Sequence, residues 1–231
     1  MKTIIGVPGL WEDRSAFIQS LAKEKMVFSG NILHDINAKT SYTAELYPHD
    51  PCLAEAFFNA GQGRIKEAEK NQIAQHTFTL YITFEYDQMM ELKTVMHIVT
   101  KVLNAGGIAV KIETAGLAHR KEDWVHLSKE PDEVSLYYAF VTSVVEQNYF
   151  YSCGMHQFGE RDVLIYDQWN PELMGEFLLY TMIEKPKLQV GEFFCLRPDA
   201  PGYEIGERVC DFYHKDELFY NPFGYWTLSR K

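Results

Sequence analysis

The chain has 231 residues, 46% of them hydrophobic, enough to bury a substantial core in one domain or two small ones. Its 22 basic and 32 acidic residues leave a formal net charge of −10, which argues against a nucleic-acid or anionic-membrane surface as the main partner. Four scattered cysteines, Cys52, Cys153, Cys195 and Cys210, form no C-x-x-C pair and no disulfide framework. No signal-peptide core can be drawn in the first fifteen residues and no stretch is long and uncharged enough to span a bilayer, so the expected location is cytoplasmic.

In chain order, Thr3 to Val7 reads as a strand, Pro8-Gly9 as a turn, and Asp13 to Lys25 as a helix capped by Asp13, with Phe17, Ile18, Leu21 and Ala22 on one face. Strands are expected at Met26 to Leu33 and Ser41 to Tyr47, then a helix over Pro51 to Asn59 with Asp50 as its cap. Arg64 to Gln75 has helix formers but little apolar face, and reads as an exposed helix or an ordered linker. The clearest unit follows. Thr77 to Tyr86 alternates as a half-buried strand with polar residues on one face. Asp87 can cap a helix through Met89, Leu92, Met96, Val99, Val102 and Leu103, and Gly106-Gly107 stops it before a strand at Ile108 to Ile112.

Beyond the Glu130-Pro131-Asp132 break a helix is expected from Glu133 to Val145. Two strands, Tyr149 to His156 and Asp162 to Tyr166, are joined by a loop of hairpin length, and Asn170-Pro171 opens a helix that runs through Ile183 to a stop at Pro186. Short strands at Val190 to Leu196, Tyr203 to Tyr213 and Tyr225 to Leu228 complete the chain, and Asn221-Pro222-Phe223-Gly224 suits a type I turn. Hairpins mixed with strand-helix-strand units predict an α+β fold with a mixed or mainly antiparallel sheet and helices on one face. No low-complexity linker divides residues 1–231, which read as one domain, with a division near 145 as the alternative.

Few residues point to chemistry. Gly6-Val7-Pro8-Gly9 lies where phosphate cradles lie, but Pro8 removes a donor and no Lys follows, so it reads as a tight strand-to-helix turn and no cofactor is expected. Cys153 and His156, three apart beside Gly154, are the types of a thiol nucleophile pair or half a metal site. On a strand they face opposite sides, and no second ligand pair has zinc spacing, so a buried cysteine beside a hydrogen-bonded histidine is the plainer expectation and no metal is expected. Glu113 at a strand end and His119 in the following loop would form an acid/base pair if they met in a cleft.

Four segments carry a resemblance: Ile5-Gly6-Val7-Pro8-Gly9-Leu10-Trp11; Ala105-Gly106-Gly107 with Glu113 to His119 and Trp124; Tyr151-Ser152-Cys153-Gly154-Met155-His156; and Asn221-Pro222-Phe223-Gly224-Tyr225-Trp226. Their order and spacing, over nearly the whole chain, resemble a family of stand-alone bacterial proteins classed as a domain of unknown function. The resemblance implies a protein of this length and transfers no catalytic residue; immunity proteins that neutralise toxins are an analogy only. Two functions remain. One is a cytoplasmic interaction module, immunity-like, engaging a basic protein partner. The other is a hydrolase or metal-dependent enzyme using Glu113 with His119 and Cys153 with His156. Charge and the lack of a catalytic signature favour the first.

Overall fold

A computed structural model describes residues 1–230. They form two compact units, Lys2–Pro131 and Met1 with the chain from Asp132 onward, each built around its own sheet. The units meet in sequence at the Glu130-Pro131-Asp132 break. A boundary near 145 would instead cut between two strands that pair with each other, Thr142–Val145 and Phe150–Cys153. Among the described residues no helix is long and apolar enough to cross a membrane.

The first unit contains β1 (Lys2–Gly9), α1 (Arg14–Lys23), β2 (Met26–Ser29), β3 (Ile32–Asp35), β4 (Thr40–Pro48), α2 (Leu53–Ala60), α3 (Glu67–Ile73), β5 (Phe78–Glu85), α4 (Glu91–Asn104), β6 (Ala109–Ile112), β7 (Leu117–Arg120) and α5 (Lys121–Leu127). The fold is α+β. Its seven strands lie in the order β2-β3-β4-β5-β1-β6-β7, every neighbouring pair antiparallel. The strand-helix-strand unit β5-α4-β6 is therefore split, with β1 inserted between its two strands.

The strand β1 does not stop at Val7 but runs through Pro8 and Gly9, which correct the expected turn. Pro8 is tolerated because its carbonyl, which accepts from Ile108 N–H at 2.9 Å, and its missing N–H both face β6, where the ladder has ended after Gly6 and Lys111. One face of the sheet is apolar: Ile5, Val7, Leu80, Ile82, Val110 and Ile112 are fully buried, and α1 and α4 supply Phe17, Leu21, Met96 and Val99. Trp11 locks the loop after β1 onto the end of α4, its Nε1 donating to Ala105 O at 2.7 Å and its ring meeting Phe17 edge-on at 4.8 Å. On the other face α2 and α3 pack over Ala109 and Ala118, on β6 and β7. The rest of that face, on β4 and β5, stays accessible.

The second unit contains α6 (Glu133–Phe140), β8 (Thr142–Val145), β9 (Phe150–Cys153), a 3₁₀ turn (Met155–Phe158), β10 (Asp162–Tyr166), α7 (Pro171–Glu184), β11 (Phe193–Phe194), β12 (Tyr203–Arg208) and β13 (Tyr225–Arg230). Its sheet runs β11-β12-β13-β10-β9-β8, antiparallel except where β10 and β13 run parallel. The expected β9–β10 hairpin is present. The Asn221 turn also forms: Gly224 N–H donates to Asn221 O at 3.1 Å, and Gly224 takes φ +79°, where a side chain would run into the Arg208 carbonyl.

Candidate functional site

The accessible face of the first sheet follows from strand alternation. Glu45 on β4 pairs with Tyr81 on β5, Tyr81 with Gly6 on β1, and Gly6 with Lys111 on β6, giving one row of side chains across four strands. Tyr47 pairs with Thr79 one step along, and Thr43 with Thr83 one step the other way. Gly6 matters because it is bare. A Cβ there would lie 2.9 Å from Tyr81 Cε1 and 3.2 Å from Glu113 Oε1, so the glycine makes room for the ring and the carboxylate to sit side by side.

On β4 and β5, Thr43, Glu45, Tyr47, Thr79, Tyr81 and Thr83 line a groove of about 690 Å³. Tyr47 meets the Tyr81 ring edge-on at 5.5 Å and donates its hydroxyl to Glu45 Oε2 at 2.7 Å. That hydrogen bond raises the Tyr47 phenol above its ordinary value; burial, then the charges of Glu113 and Asp50, push Tyr81 up to about 12. Both phenols therefore present neutral hydroxyls at physiological pH. Thr79, 2% exposed, lines the same groove, and its Oγ1 is buried without a hydrogen-bond partner. Such an unmet hydroxyl costs about 1–3 kcal/mol, a penalty that a bound polar group would relieve.

The end of β4 and the residues after it, Tyr47-Pro48-His49-Asp50-Pro51, also line the groove. Buried His76 accepts from Asp50 N–H on Nε2 at 3.1 Å, so its Nδ1 carries the proton and donates to Ile73 O at 2.8 Å. Burial first of all holds its pKa below the ordinary value, and the ring stays neutral. The His49 ring lies against it at 4.6 Å, tilted by 34°, and because its Nδ1 faces the His76 carbonyl at 2.8 Å that nitrogen also donates. Both loop residues are thus fixed from beneath, His49 through its ring and Asp50 through its backbone.

The residues singled out by sequence are placed differently. Glu113 opens the β6–β7 turn, beside Tyr81, and is ion-paired with Lys111 at 2.5 Å. His119 is on β7 rather than in a loop; it pairs with Val110, whose side chain belongs to the buried face, is 1% exposed and lies 5.6 Å from the Trp124 ring. Lys111 and Glu113 project from the opposite face, so Glu113 and His119 do not meet. The β6–β7 hairpin is tighter than the sequence reading allowed: only Glu113 to Gly116 connect its strands.

Cys153 and His156 belong to the second unit. A turn does intervene between them, but no hydrogen bond or charge interaction joins them. Burial, followed by the nearby Asp162 and Cys210, pushes the Cys153 thiol well up, away from the thiolate a nucleophile needs. His156 Nδ1 is buried without a partner, and burial alone lowers the ring to about 4. The expected hydrogen-bonded histidine is thus not what forms. The polar centre of this unit is Asp162, whose Oδ1 accepts from Ser152 Oγ at 2.7 Å and from Met155 N–H at 3.2 Å, and whose Oδ2 accepts from Asn221 Nδ2 at 2.7 Å. Ser152 Oγ in turn accepts from Val163 N–H at 2.9 Å. Every contact joins one backbone segment to another, so this network ties β9, β10 and the Asn221 turn together. Among the described residues no three His, Cys, Asp or Glu side chains gather closely enough to hold a metal ion.

Comparison with family models, with curated proteins and with solved structures found no match to this chain. The groove residues Tyr47, His49 and Tyr81 escaped the sequence reading. Their signals were a His-Asp pair held between Pro48 and Pro51, and the polar side of the alternating run Thr79, Tyr81, Thr83.

Proposed function

We propose that the protein is a binding module, immunity-like in its logic, whose open sheet face engages a basic protein partner in the bacterial cytoplasm. The observation that carries this reading is the groove itself. Glu45 and Asp50 line it beside the Tyr47–Tyr81 pair, and among the described residues neither carboxylate is in an ion pair. Lys111, at the end of the same cross-strand row, is already bound to Glu113. Aromatic rings with uncompensated carboxylates around them make a surface complementary to Lys and Arg side chains. The net charge of −10 steers such a partner from a distance. All four cysteines are free, which suits a reducing compartment. The enzymatic alternative has less support, because Glu113 and His119 project from opposite faces and the Cys153 thiol is held protonated.

Titration calorimetry with a lysine- and arginine-rich peptide at low ionic strength tests the reading. The wild-type protein is expected to bind, and the double substitution Glu45→Gln, Asp50→Asn to weaken binding about tenfold. Equal binding by the two proteins would contradict it.

A further inference from the structure

Resting on that reading, and going one step further, we infer that the groove is a pocket for a guanidinium group, filled by an arginine side chain of the partner that donates one N–H to Thr79 Oγ1. Three features lead here. Thr79 lines the groove, and its hydroxyl is buried there with no partner of its own, so the wall of the groove holds an unmet hydrogen-bonding group. Glu45 and Asp50 line the same groove, and among the described residues neither is in an ion pair. The Tyr47 and Tyr81 rings stand nearly perpendicular, at 84°, so that an inserted planar cation finds a ring face as well as an edge.

These acceptors, one hydroxyl and two carboxylates, come from separate places in the fold: Thr79 from β5, Glu45 from β4 and Asp50 from the segment after β4. A guanidinium carries five N–H donors fixed in one plane and reaches several such acceptors at once; an ammonium is a point charge with three donors at one atom. The planar group also stacks on tyrosine. The pocket therefore discriminates by geometry as well as by charge. Gly6 contributes indirectly, since a side chain there would run into the Tyr81 ring.

The probes are three short peptides that differ at one position, carrying arginine, lysine or the neutral isostere citrulline, titrated against the full chain. The arginine peptide is expected to bind about tenfold more tightly than the citrulline peptide and several-fold more tightly than the lysine peptide. Thr79→Val, which keeps the shape and removes the hydroxyl, is expected to weaken arginine binding about tenfold without lowering the thermal midpoint, because the buried hydroxyl it deletes has no partner in the free protein. Thr79→Ser keeps the hydroxyl and is expected to bind like wild type. Equal affinities for arginine and lysine, or wild-type binding by Thr79→Val, would overturn the pocket. If the Glu45→Gln, Asp50→Asn protein still loses the polybasic peptide while Thr79→Val binds normally, the binding module stands and the guanidinium pocket falls. If no peptide binds, both fall.

Discussion

An Asn221→Ala protein is expected to be less stable than wild type by about 3 kcal/mol, since a hydrogen bond to a buried charge contributes about 1.5–3 kcal/mol and each buried polar group left unmet costs about 1–3 kcal/mol. Asn221 is fully buried and serves three groups: its Nδ2 donates to Asp162 Oδ2 at 2.7 Å and to Glu160 O at 3.0 Å, while its Oδ1 accepts from Phe223 N–H at 2.9 Å. Alanine withdraws all three contacts and leaves Asp162 to be held by Ser152 and backbone N–H groups alone. The same change loosens the turn that brings β13 in beside β10, where Asp162 N–H donates to Gly224 O at 3.1 Å. Equilibrium unfolding in denaturant measures the effect. A loss below about 1 kcal/mol would mean that the network is incidental to the second unit's stability.

Asp162 and His156 are expected to give this unit opposite pH dependences. Burial pushes Asp162 up to about 6 against the pull of its donors, from an ordinary value of 3.8. Between pH 4 and 6 the native state then holds the proton more firmly than the unfolded chain, so stability from this group falls as pH rises through that window. Burial lowers His156 from 6.5 to about 4, so the unfolded chain binds the proton better and stability from this group rises with pH over much the same range. Each contribution amounts to about 3 kcal/mol across its window, and in the wild type the two offset one another. Removing either side chain exposes the other. Relative to wild type, Asp162→Asn should gain stability more steeply between pH 4 and 6.5, and His156→Gln should lose it. Denaturant midpoints at pH 4, 5, 6 and 7 decide the matter; slopes of the same sign in both variants would refute it.

Much of the fold was legible because local signals agreed with tertiary ones. Asp13, Asp132 and Asn170 cap α1, α6 and α7 through their side chains, as their positions before apolar-periodic runs implied for Asp13 and Asn170. Where a second local signal competed, boundaries moved. Asp50 accepts from Cys52 N–H at 2.9 Å, forming a turn ahead of α2, so that helix begins only at Leu53. Asp87 does not cap α4; Glu91 reaches back to accept from the N–H groups of Asp87 and Gln88. The helix expected to reach Val145 ends at Phe140, because the β-branched residues in Val141 to Val145 gain more as an edge strand against β9. The segment from Leu117 to Leu127 hid both β7 and α5, each too short to show a period of its own.

The groove was less legible than the fold for a geometric reason. Its rows join strands far apart in sequence: Glu45 pairs with Tyr81 and Tyr81 with Gly6, and no local pattern announces which polar residues of separate strands will share a face. The charge of −10 indicated the kind of partner but not the surface, and only sheet register gathers Glu45, Tyr47 and Tyr81. Glu113, by contrast, was singled out correctly as a polar residue at a strand end, but its neighbour proved to be Tyr81 across the glycine and not His119.

The most direct measurement is to titrate the isotope-labelled protein with the arginine-bearing peptide and map the backbone amide shifts. The expected result is a set of saturable shifts with one common affinity at Thr43, Glu45, Tyr47, His49, Thr79 and Tyr81, collapsing in the Glu45→Gln, Asp50→Asn protein. Shifts centred elsewhere on the chain, or none at these residues at saturating peptide, would contradict a basic-partner site on the open face of the first sheet.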